Sequence, residues 1–211
     1  MFIPVTRRIL RWGTPDPEGD WIMYGHLILD ESKCIAIDPP LVPGLIDSIS
    51  RLGKLEAIML TTLDHTRGAR YISKKTGARL LIPDQHESIS VNPEAILEQK
   101  EIREFERYGM DKIYGLKPFR ITVASERTSG VPCIDEYAFL TPEEELIVGD
   151  IAIGDSAGNL VVAPEWFPHD PPHKPYGKAR TEFARVVRES GADVLLSGHG
   201  QNIYGGLKEK I

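Results

Sequence analysis

Cysteine is scarce in this chain: two occur among 211 residues, Cys34 and Cys133, without a Cys-x-x-Cys pair. That excludes a disulfide-stapled scaffold and a cysteine-built zinc site, and both thiols read as small buried hydrophobes. Amide side chains are few as well, three Asn and three Gln, a weak pointer to a thermophilic source. No basic cluster occurs, and 25 Lys and Arg against 31 Asp and Glu leave a formal net charge of −6, so nucleic acid is not an expected partner. Long apolar runs are absent, so no segment reads as a membrane span. The opening MFIPVTRRILRW lacks the apolar stretch of a signal peptide. A cytoplasmic protein is the expectation. The remainder is ordinary for a globular chain, 41% hydrophobic and 27% charged, and residues 1–211 read as one domain with room for a real core.

The pattern of apolar residues gives the elements. DWIMYGHLILD and CIAIDPP are apolar runs joined across ESK, which reads as a pair of strands. PGLIDSISRLGK places Leu45, Ile46, Ile49 and Leu52 at helical spacing and stops at Gly53. LEAIMLTT is a buried strand with Asp64 at or just past its end, HTRGARYISKKTG a helix closing at Gly77, and ARLLIP the next strand. This β-α-β-α-β order argues for an α/β sandwich over an all-β domain. NPEAILEQKEIREFERYG is charge-rich and reads as a solvated helix or a partly ordered arm, with residues 93–107 open as a lid or an interface. FRITVAS, DEYAFLT and EELIVGD are spaced as consecutive strands. Beyond the proline-rich APEWFPHDPPHKPYG comes an amphipathic helix carrying Phe183, Val186 and Val187. ADVLLSGHG is then the last strand, with His199 just past its end.

Four residues stand at such strand ends, each beside a glycine or a helix start: Asp64, His65, Asp150 and His199. Side chains from separate segments converge at strand ends in α/β folds. Two imidazoles with two carboxylates suit zinc, iron or manganese. Each candidate also has a plainer reading. Asp64 can cap the helix that follows. Asp38 in IDPP is a turn residue or a hydrogen-bond partner behind a ligand. Arg67 pairs with an acid or faces a substrate, and His26 and His86 are structural or exposed. His169 and His173, in PHDPPH, are surface residues or substrate contacts.

In this order and at this spacing, the fragments MYGHLILDESKCIAIDPP, LTTLDHTRGA, LIVGD and LLSGHG resemble the metallo-β-lactamase-fold superfamily, which includes the hydroxyacylglutathione hydrolases. The resemblance runs from about residue 20 to about residue 205. It implies an α/β (α+β) fold, an αββα sandwich of two mixed β-sheets with helices outside and a site at one edge. In that superfamily one metal site takes three histidines, two from the His-x-His-x-Asp-His box and one from a later loop. Here the box positions hold Leu60 and Thr62, the loop reads SERTSG with Arg127 at the histidine position, and no His lies between His86 and His169. By this resemblance site one is absent. The second site corresponds to Asp64, His65, Asp150 and His199, and Asp38 matches the Asp of the turn after the opening strands.

The resemblance therefore implies a hydrolase of an ester, thioester or lactone-like bond that uses one divalent ion, zinc first, iron or manganese next. Asp64 and His65 are its expected catalytic residues, with Asp38, Thr62, Arg67, Arg127, His169 and His173 behind the ligands or facing a small-molecule substrate. The alternative is a degenerate, metal-free member that serves as a binding or scaffold protein. The residues leave both open. Two carboxylates close together repel without a cation, whereas two His–Asp pairs, with Arg127 beside them, would satisfy the site alone. A homo-oligomer is likewise left open.

Overall fold

The strands of this chain are apolar on both faces, so each face needs its own cover. In β4 (Lys33–Ile37), Cys34 and Ala36 join one buried cluster while Ile35 and Ile37 join another, the period-two alternation of a strand. The computed structural model, which describes residues 2–17, 19–85, 88, 92–124, 132–164 and 176–211, meets this need with two mixed sheets packed face to face and helices outside.

The first sheet runs in sequence order: β1 (Ile3–Pro4), β2 (Ile9–Pro15), β3 (Ile22–Asp30), β4, β5 (Lys54–Met59), β6 (Arg79–Pro83) and β7 (Glu106–Tyr108). It is antiparallel as far as β4 and parallel from β4 to β7. Helices α1 (Leu45–Ser50), α2 (Ala69–Thr76) and α3 (Pro93–Gln99) occupy the connections between the parallel strands. The second half contributes β8 (Lys117–Ala124), β9 (Pro132–Leu140), β10 (Glu145–Val148), β11 (Ala152–Gly154), β12 (Leu160–Val162), α4 (Tyr176–Ser190), β13 (Val194–Ser197) and β14 (Ile203–Tyr204). Its sheet is ordered β14-β13-β10-β9-β8, with β10 and β13 parallel, while β11 and β12 form a separate ribbon.

Ile35, Ile37, Met59, Tyr108, Phe139, Ile147 and Leu196 fill the space between the sheets. Leu45, Ile49, Ile72 and Leu80 sit in the cluster on the outer face of the first sheet, and Phe183, Val186 and Val187 of α4 pack on Leu146, Val148 and Leu195 of the second. Burial of one such side chain stabilises by about 1.5–3 kcal/mol. The expected αββα arrangement is the observed one.

Three details depart from the sequence reading. The charged run read as one solvated helix or arm divides: α3 ends at Gln99, Ile102 turns into the core, and Glu106–Tyr108 becomes edge strand β7, parallel to β6. The residues before α2 form a separate 3-10 turn, Leu63–His65, so α2 begins only at Ala69. The opening segment, not read as any element, supplies β1 and β2. Cys34 is a buried free thiol, as expected; the side chain of Cys133, with His86, Arg127, His169 and His173, lies outside the described residues.

Candidate metal centre

Neighbouring parallel strands end together, which brings residues distant in sequence to one edge of the sandwich. Asp38 follows β4, and Thr61 to His65 follow β5, its parallel neighbour. Asp150 follows β10, and His199 follows β13, again parallel neighbours. A glycine precedes each of the last two. A Cβ on Gly198 would lie 2.9 Å from the carbonyl oxygen of Gly149, so the second pair of strand ends meets this closely because Gly198 lacks a side chain.

His65 Nε2 and His199 Nε2 each lie 3.1 Å from Asp150 Oδ1, and these three atoms fall within 4.8 Å of one another. Both rings are held from behind. His65 Nδ1 is 2.8 Å from Asp38 Oδ2, and His199 Nδ1 is 3.0 Å from the carbonyl oxygen of Ile22. A carboxylate and a carbonyl only accept, so both Nδ1 atoms donate and both Nε2 atoms face Asp150. Asp38 is itself fixed, accepting from the Thr61 amide at 2.8 Å and the Thr61 hydroxyl at 2.6 Å. Asp38 also has a left-handed backbone, φ 47°, strain that a packed neighbourhood must impose.

The charges interlock. Burial and Arg67 work against a charged His65, yet the carboxylates of Asp150 and Asp38 override them and push its pKa up to about 10. Asp150 is held well below the usual carboxylate range; burial opposes this, and the two histidines overcome it. Beneath Asp150 lies Glu136 on β9, whose two carboxyl oxygens accept from the amides of Asp150 (3.2 Å) and Ile151 (3.3 Å). Burial first, then repulsion from Asp150, pushes Glu136 up to about 8. Arg67 brings positive charge to this edge. Its Nη1 donates to the carbonyls of Tyr24 (2.7 Å) and Asp38 (3.2 Å), and its Nη2 lies 3.1 Å from His199 Nε2.

Asp64 does not join the triad. The 3-10 turn at 63–65 directs His65 inward and leaves Asp64 exposed at the rim. Its carboxyl is nevertheless raised by desolvation, with His65 opposing and Asp150 adding repulsion. Of the four expected ligands, the donor atoms grouped together are those of His65, Asp150 and His199. At the two positions that the resemblance aligns with site-one histidines, Leu60 is sealed in the cluster beneath α1 and α2. Thr62 caps the 3-10 turn and meets Gln85, whose amide oxygen takes the Leu63 amide at 2.8 Å and whose nitrogen donates to the Asp135 carbonyl at 2.6 Å. Gln85 and Glu136 escaped sequence reasoning. The only signal for either was a polar residue beside other polar residues at or next to an apolar strand.

The donor set fits one ion. Ligand atoms bound at about 2.0–2.1 Å to a common cation stand roughly 3.0–3.4 Å apart, which the 3.1 Å separations match. Nδ1 donation to fixed acceptors is the usual support for a metal-binding imidazole. Among the described residues, His65, Asp150 and His199 form the one such group of three or more.

Neither a family model nor a curated protein matches the sequence. Solved structures do match in fold. The DIM-1 metallo-β-lactamase superposes with a TM-score of 0.66 at 13% identity, covering 96% of this chain and 90% of its own. TMB-1 gives 0.65 at 15% identity with the same coverage. A metallo-β-lactamase from Pontibacter korlensis gives 0.64 at 12% identity over 100% of this chain and 94% of its own. At these identities the likeness establishes the fold: this chain has the metallo-β-lactamase architecture, with one candidate triad at the edge where its strands end.

Proposed function

We propose that this protein is a hydrolase that opens an ester, thioester or lactone-like bond of a small molecule with one divalent ion held by His65, Asp150 and His199. The observation behind the reading is the convergence of His65 Nε2, Asp150 Oδ1 and His199 Nε2, with both rings fixed from behind. When bound, such an ion supplies a Lewis acid for the carbonyl and lowers the pKa of a coordinated water towards neutrality. The chain's own residues do the rest. Asp38 and the Ile22 carbonyl hold the two rings in the ligating tautomer, and Glu136 fixes the backbone amide of Asp150. Asp64, exposed beside the triad, is the carboxylate that takes a proton from the attacking water at its Oδ atoms. Zinc fits first, with iron and manganese next, and the resemblance to hydroxyacylglutathione hydrolases makes thioesters the first substrates to try.

The test is a panel of activated esters, thioesters and lactones, offered to protein loaded with one equivalent of zinc, iron or manganese. Turnover that disappears in both Asp150→Asn and His199→Ala supports the reading; turnover that survives either variant, or none with any ion, refutes it.

One observation favours a second reading. Asp38 and Asp150 are balanced by His65 and Arg67, so the cluster neutralises itself. On that reading the strand ends are a brace in a binding protein. His199→Ala then lowers stability and changes no ion content.

A further inference from the structure

Arg67 is the charged side chain at the centre that the one-ion reading leaves without a task. Its Nη2 stands 3.1 Å from His199 Nε2, the nitrogen an ion needs. With Nδ1–H committed to the Ile22 carbonyl at 3.0 Å, neutral His199 keeps one lone pair, on Nε2, the atom that also stands 3.1 Å from Asp150 Oδ1. One lone pair serves one partner. A guanidinium only donates and never sheds its charge, so it cannot share that nitrogen with a metal, and two cations so close repel.

The placement is built into the backbone. Arg67 has φ 35°, a region that a bulky residue adopts only under constraint. The next residue, Gly68, is pressed so closely that a Cβ there would meet Leu41 at 2.8 Å. Nη1 is anchored on two carbonyls while Nη2 reaches the histidine. The carboxylates of Asp38 and Asp150, and less strongly those of Asp16 and Asp64, also act on Arg67.

We infer that Arg67 is an internal cation that competes with the divalent ion for His199 Nε2, so that the ion binds only as the guanidinium turns away. This rests on the one-ion reading above. Arg67 then sets the affinity of the centre: the wild type binds an ion more weakly than its three donors alone would, and loss of the guanidinium tightens binding.

The experiment is a calorimetric titration of zinc into chelator-treated wild type, Arg67→Met and Arg67→Lys, with cobalt(II) absorption as a second readout. Methionine keeps an apolar stem and removes every donor. The expected result is one ion per chain throughout, bound at least tenfold more tightly by Arg67→Met than by the wild type, with Arg67→Lys between them. Equal affinities at one ion per chain overturn the competition and leave the metal centre standing. No ion in either the wild type or Arg67→Met removes both. Should Arg67→Met fail to fold, the wild type decides by NMR during the zinc titration. Arg67 guanidinium resonances that shift in step with His199 Nε2 support the competition, and a static guanidinium beside a zinc-bound His199 overturns it.

Discussion

Gly149→Ala tests whether the centre depends on close approach between the two sheets. A Cβ at Gly149 would lie 2.5 Å from Thr61 Oγ1 and 3.3 Å from His65 Cε1. Thr61 cannot simply withdraw, because its hydroxyl donates to Asp38 Oδ2 at 2.6 Å and its amide to Oδ1 at 2.8 Å. The added methyl must therefore push Thr61 off Asp38 or move the end of β10. Overpacking typically costs about 1–3 kcal/mol, and a lost hydrogen bond to a charged group about 1.5–3 kcal/mol. Relaxation shares the two, so a loss of about 3–4 kcal/mol is expected. Gly109 is the control: a Cβ there meets nothing within 4 Å, and alanine should change stability by less than about 1 kcal/mol. Urea unfolding of the three proteins, followed by far-UV circular dichroism, reads both values. A Gly149→Ala midpoint within about 1 kcal/mol of the wild type would refute the reasoning. Because Asp38 holds the His65 ring, the same variant should also bind zinc more weakly.

Two further predictions follow from the same contacts. In ion-stripped protein His65 is raised from 6.5 to about 10, and a folded pKa above the unfolded one stabilises fully below about pH 6.5. That stabilisation is lost as pH climbs towards 10, by at most ~1.4 kcal/mol per pH unit crossed; urea midpoints should fall over this window in the wild type and not in His65→Gln, and equal slopes would contradict the assignment. The double change Leu60→His/Thr62→His should not create a second metal site, because Leu60 lies in the core and Gln85 holds the Thr62 side. It should instead destabilise by roughly 2–5 kcal/mol through a buried polar ring, and a second zinc per chain would show the slot to be open.

What could be read from the sequence was what apolar runs and glycine spacing encode. Short continuous apolar runs located β3 to β6 and β8 to β10, and the glycines before Asp150 and His199 marked the strand ends that form the centre. Asp64 stands outside the triad because the 3-10 turn buries His65 and leaves its neighbour exposed, a local geometry that the adjacency of the two residues in sequence does not specify. β7 was hidden because an edge strand with exposed Glu106 and Arg107 carries no alternation to read. Arg67 could be named as a candidate, but its contact with His199 depends on a left-handed kink that a local pattern does not specify. Glu136 lies in DEYAFLT as one acid beside another, and only the packing of β9 under Asp150 distinguishes it from Asp135.

The most direct test of the central claim is elemental analysis of protein purified without a metal-binding tag, beside Asp150→Ala and His199→Ala. The account predicts close to one zinc, iron or manganese per wild-type chain and none in either variant. A wild type that remains below a tenth of an equivalent (roughly tenfold under full occupancy, ~1.4 kcal/mol of binding), even after incubation with zinc and iron, would contradict it.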